Sequence, residues 1–190
     1  EQFDAARNNA DHEANVVADL QRLSGWFPEP DREAIRAMLT AYAVSVVEDE
    51  WDAMDRGEAP AGTTSDALDL LWERYAGLDP GQGGQAVAYA DSMDRLQDLG
   101  DARRMRLLET NSGIPGVMWF GLLAGGAITV AFAFGFGVER GQSHGVMLAT
   151  LAASIALLLF MISSLDHPFH GDVRVDPDGM ELVLRQFGGG

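Results

Sequence analysis

The sequence predicts an all-α membrane protein, in which an amphipathic helical region leads into a transmembrane helical hairpin and a short tail follows. Three observations carry that class. Residues 113–165 hold one acid and one base, Glu139 and Arg140, in 53 positions, whereas residues 1–112 hold 23 acids against 10 arginines. Before position 112, apolar residues recur every three or four places, the period of one helix face. The formal charge of -16 divides as -13, 0 and -3 over residues 1–112, 113–165 and 166–190, so all net charge lies outside the apolar stretch. These three segments are the expected domains.

Composition excludes several functions. A nucleic-acid binder needs a basic face to displace counterions from phosphates, and this acidic chain contains no lysine. Without cysteine there is no disulfide, no thiolate nucleophile and no thiolate metal site. Glu1 is followed by neither a basic nor an apolar leader segment, so no signal peptide is read, and Gly188 to Gly190 is set aside as a tail.

The first helix is expected from Phe3 to Leu23, where Phe3, Ala6, Ala10, Ala14, Val17, Leu20 and Leu23 form one face. Gly25, Pro28 and Pro30 interrupt it. A second helix starts near Asp31, with Ile35, Leu39, Tyr42 and Val46 as its stripe, and runs to a stop at Arg56-Gly57. A loop at Pro60 to Thr64 precedes a shorter helix from Ser65 to Tyr75, and a glycine-rich loop follows it. The last soluble helix spans Gln85 to Thr110, its apolar positions including Val87, Met93, Leu96, Leu99, Leu107 and Leu108, with Gly100 as a weak point.

Ile114 to Val138 is 25 uncharged residues, about 37 Å of helix against a hydrocarbon core of ~30 Å. Val146 to Leu165 is a second uncharged run, and the short Glu139 to Gly145 link permits only a tight turn. The regions flanking this hairpin therefore lie on one side of the membrane. Arg103, Arg104 and Arg106 precede the first span closely while the turn carries Arg140 alone, which places the soluble helices and tail in the cytoplasm of a cell inner membrane protein. Asp176-Pro177-Asp178 resembles a helix start, so Met180 to Phe187 is expected to be helical, with a strand hairpin across Asp176 to Gly179 as the alternative.

The residues offer little chemistry. Glu48, Asp49, Glu50 and Asp52 are dense enough to suggest a cation site, but consecutive helical positions spread around the axis, and a solvated helix end is expected. His167 and His170 with Asp172 are the candidate metal ligands, yet Pro168 interrupts a regular helix there, so a structural juxtamembrane turn is expected and no metal is assigned. Within the spans, Gly121, Gly125, Thr129, Thr150 and Ser154 are the pore or packing candidates; the first two have the small-xxx-small spacing of close helix approach. No intramembrane charge suggests a pump or proton relay. No phosphate loop, nucleophile elbow or metalloprotease histidine pair is present, so neither enzyme nor cofactor is expected.

Four segments taken together carry a family resemblance: the helix containing Glu13-Ala14, Tyr42 with Val46-Val47-Glu48-Asp49-Glu50-Trp51, the Pro115 to Trp119 approach to a span, and the juxtamembrane motif Leu165-Asp166-His167-Pro168-Phe169-His170-Gly171. Within that motif Asp166, Pro168, Phe169 and Gly171 are the specific marks. The chain resembles the bacterial bestrophin-like membrane protein family, over nearly all its length. The resemblance implies four spans, of which this sequence carries the second pair, and a homo-oligomeric ion channel narrowed by apolar and small residues. Anion selectivity finds no basic ring in either span. The alternative function is a non-conducting membrane subunit whose acidic cytoplasmic helices dock a partner complex. Lipid bilayer and further copies of the chain are the expected partners.

Overall fold

A computed structural model describes residues 2–58, 62–110, 116–135, 142–165 and 174–188. Among these residues there are helices and no strand. The chain divides into two compact units, Glu1–Asn111 with Pro168–Gly190, and Ser112–His167.

In the first unit, helix α1 (Gln2–Leu23) buries Ala6, Ala10, Ala14, Val17 and Leu20, the face its spacing predicts. A 3-10 turn (Ser24–Trp26) brings Phe27 inward, where its ring meets Tyr75 edge-on at 6.1 Å. Helix α2 (Asp31–Ser45) buries Ile35, Leu39, Tyr42 and Ala43 and passes through one π turn (Val46–Glu50) into α3 (Trp51–Asp55). The predicted stop is a Schellman cap: Gly57 takes a φ of 65°, its N–H bonds Met54 C=O, and Glu58 N–H reaches back to Ala53 C=O at 2.9 Å. Helix α4 (Thr63–Ala76) packs against α2, and α5 (Gly84–Thr110) lies along α1.

Helix α5 runs unbroken through Gly100, and its buried face differs from the expected apolar one. Ala88, Ser92, Leu96, Leu99, Ala102 and Arg106 are buried, while Val87 and Leu108 are exposed. The reason is electrostatic: a face that carries an arginine is buried because its charge is met inside.

The tail is the helix expected from its start signals rather than a strand hairpin. Helix α8 (Asp178–Gly188) packs on α1 and α2 through Met180 and Val183. Gly179 lets the helices come close there, since a Cβ would stand 3.0 Å from Asp11 Oδ1 and 3.3 Å from Ala14 Cβ.

The second unit comprises α6 (Gly116–Gly135) and α7 (Gln142–Leu165), both long and apolar enough to cross a membrane. The link at 136–141 is too short to return the chain along a helix some 30 Å long, so the two are antiparallel. Their partly covered positions are Trp119, Ala124, Gly126, Val130 and Ala133 on α6 and Leu148, Leu151, Ala152, Ile155, Leu159 and Ile162 on α7. Most of these positions follow one seam at alternating three and four spacing, and the other described side chains of the two helices are exposed.

Candidate functional site

The polar center of the first unit is a cluster of buried charges assembled from α1, α5 and the π turn ahead of α3. Glu13 on α1 occupies a position between Ala10 and Val17 on the apolar face and is fully buried. Arg106, one turn beyond Ala102 on α5, is likewise fully buried and grips it with two bonds, Nε to Oε2 at 2.6 Å and Nη2 to Oε1 at 3.0 Å. Such a forked pair fixes orientation as well as charge.

Glu50 enters from the π turn. The wider turn directs both Glu50 and Trp51 inward, whereas Glu48, Asp49 and Asp52 remain exposed. Glu50 Oε2 accepts Arg106 Nη2 at 2.6 Å, and its Oε1 accepts Arg103 Nε at 3.0 Å. The expected solvated helix end is therefore correct for three of these four acids and wrong for Glu50, because the π turn rotates it out of the helical sequence of faces. Arg103 also donates to Ser65 Oγ on α4 at 2.9 Å.

Neutral groups complete the cluster. Tyr42 donates its hydroxyl to Glu13 Oε1 at 2.7 Å, and Met54 Sδ accepts from Arg106 Nη1 at 3.4 Å. The Arg106 guanidinium lies 4.9 Å from the centroid of the Trp51 ring, and the other edge of that indole donates Nε1–H to Val175 C=O at 3.0 Å. Burial opposes the charge of Arg106, but the Glu13 and then Glu50 carboxylates outweigh it and hold its pKa above the ordinary arginine value. Burial, and next the Glu13 charge, push the Tyr42 hydroxyl well up. Two carboxylates face two guanidiniums, so the cluster is balanced. Its donors and acceptors are directed at each other, an arrangement that positions helices rather than transfers protons.

The residues singled out in the spans lie elsewhere. A side chain at Gly121 or Gly125 would meet nothing within 4 Å, while one at Gly126 would stand 3.1 Å from Ile155 Cγ2; the close approach of α6 and α7 is at Gly126. Thr129, Thr150 and Ser154 are exposed and donate back to their own helix, to the carbonyls of Gly125, Val146 and Thr150, at 2.8, 2.8 and 2.9 Å. Asp166, His167, Pro168, Phe169, His170, Gly171 and Asp172 lie outside the described residues, as does Pro115. Among the described residues no group of three or more acids and histidines is placed to hold a metal.

Sequence reasoning did not identify the charged cluster. Glu13, Glu50 and Arg106 each sit in register with apolar neighbors, and opposite charges on stripes that must face each other are the signal that finds such a site. Along the sequence alone, Arg103 and Arg106 read as flanking charges that orient the spans.

A family model described as a bestrophin-like domain matches residues 1–180. No curated protein and no solved structure matches the chain.

Proposed function

The chain belongs to the bestrophin-like family and carries two helices long and apolar enough to cross a membrane, and from that membership we propose that it assembles as a homo-oligomeric ion channel. The observation that best supports assembly is the exposure of the hairpin: among the described side chains of α6 and α7 none is buried. Two helices meeting along one seam enclose no pathway, so conduction requires further helices around an axis, supplied by other copies. Within such a ring Thr129, Thr150 and Ser154 are the hydroxyl candidates for the lining, with apolar rings gating by dewetting.

We further propose that the soluble unit lies in the cytoplasm, on the arginines that precede the first span in the sequence. Of the three arginines before the first span, Arg103 and Arg106 are committed to the buried cluster and Arg104 is exposed beside Asp101 at 3.2 Å. In the cysteine-free chain, Asp101→Cys should react with a membrane-impermeant maleimide on intact cells only after permeabilisation; labeling without permeabilisation reverses the topology.

Oligomeric state in detergent, by native mass spectrometry or particle symmetry, is the first test, followed by ion flux in liposomes. A symmetric ring whose conductance changes on Thr129→Leu or Ser154→Leu supports the channel; a monomer, or a single copy in a mixed complex, overturns it. The docking subunit is the second proposal, supported by the acidic exterior. It must use that charged surface, because Ile35, Leu39, Tyr42 and Val46 are buried in the chain itself.

A further inference from the structure

We propose that α3 braces the two soluble ends of the transmembrane hairpin against each other, with Trp51 holding Arg106 of α5 on its ring face and the backbone of Val175, ahead of α8, on its N–H.

The positions concerned are set by connectivity. Arg106 stands ten positions before the start of α6, and Val175 stands ten positions after the end of α7. One indole touches both, through the 4.9 Å ring contact and the 3.0 Å hydrogen bond, and both Trp51 and Val175 are buried. A second hold comes from the same short helix: Asp55 Oδ1 pairs with Arg174 Nη1 at 2.8 Å, on the surface. Glu50, the residue before Trp51, fastens α3 to α5 through Arg106 and Arg103.

A shift of α5 past α3 must therefore either carry the 174–176 segment with it or give up the indole bond and leave a buried carbonyl without its donor. The end of α5 at Arg106 and the 174–176 segment therefore move as one body. The brace does not depend on conduction, so it stands or falls separately from the channel.

The absence of cysteine allows a direct test on the full chain in lipid nanodiscs. Met105→Cys and Leu182→Cys place spin labels on exposed positions of α5 and α8. Dilution with unlabeled chain restricts pulsed dipolar spectroscopy to pairs within one molecule. The expected result is a single narrow distance that broadens or splits in Trp51→Phe, which keeps a ring and loses the N–H. Amide exchange over 178–188 should then rise at least ~10-fold while that of α1 and α2 stays unchanged. An unchanged distance and exchange would overturn the brace. So would exchange that rises equally in α1, α2, α5 and α8, which would make Trp51 ordinary core filling. Where Trp51→Phe yields no folded protein, Arg174→Gln decides on the same readouts: broadening supports the brace and an unaltered distribution overturns it.

Discussion

The two units of this chain treat polarity in opposite ways. The first buries charge: Arg106, Glu13 and Glu50 are fully enclosed, and acids cover the outside. The second holds no charged residue in either described helix and presents Phe, Leu and Met outward, with the hydroxyls of Thr129, Thr150 and Ser154 folded onto carbonyls of their own helices. Each follows from its solvent. In water, apolar stripes drive helices together, and a buried charge survives only where a partner is built opposite it. In lipid, the outside is already apolar, so polar atoms must be satisfied within the helix.

The largest break in this contrast is expected from removing the cation at the center. Arg106→Leu leaves the buried Glu13 with no cation and Glu50 with Arg103 alone, and the soluble unit should lose about 3–5 kcal/mol, read as a drop in detergent-solubilised thermal stability; an unchanged melting temperature would show that water reaches the cluster. The converse error, a charge at Ile128 midway along α6, should cost about 2.5–3.5 kcal/mol of insertion for Ile128→Arg, measured as the membrane-integrated fraction. A pH experiment comes next. Burial pushes the Tyr75 hydroxyl up to about 12 from the ordinary tyrosine value of about 10. The stability that follows is complete below pH 10 and is lost as pH rises toward 12, by up to about 3 kcal/mol; Tyr75→Phe should remove that part of the alkaline decline. The smallest effect is expected from Thr129→Val, within about 0.5 kcal/mol in a thermal melt, because its hydroxyl serves only the carbonyl of Gly125.

Helices were legible in the sequence where one periodicity dominated. The apolar face of α1, the Ile35 to Val46 stripe, the stop at Gly57 and both spans follow from spacing, caps and length. The buried face of α5 and the charged cluster did not, since a stripe analysis discounts Arg106 and Glu13 as surface residues when each is read on its own helix. Glu50 was hidden further by the π turn, which breaks the 3.6-residue spacing on which its expected exposure rested. Thr129, Thr150 and Ser154 were visible as hydroxyls in apolar runs, whereas their bonding to preceding carbonyls depends on rotamers that spacing alone does not specify. The packing at Gly126 rather than Gly121 and Gly125 has a similar origin: several glycines share one helix, and only the position of Ile155 selects among them.

The place of α8 has a consequence for the order in which the molecule is made. Gly179 closes against Asp11 and Ala14, so α8, translated after both spans, completes a core that α1 began. At ~5–20 residues per second, the stretch from the end of α5 to the start of α8 takes roughly 3–14 s to emerge. During that interval both spans are synthesized while the α8-facing side of α1 stays open. Completion of the soluble unit thus reports that the whole hairpin has been translated, and a chain cut short within it keeps an uncovered apolar surface of the kind chaperones and proteases recognize.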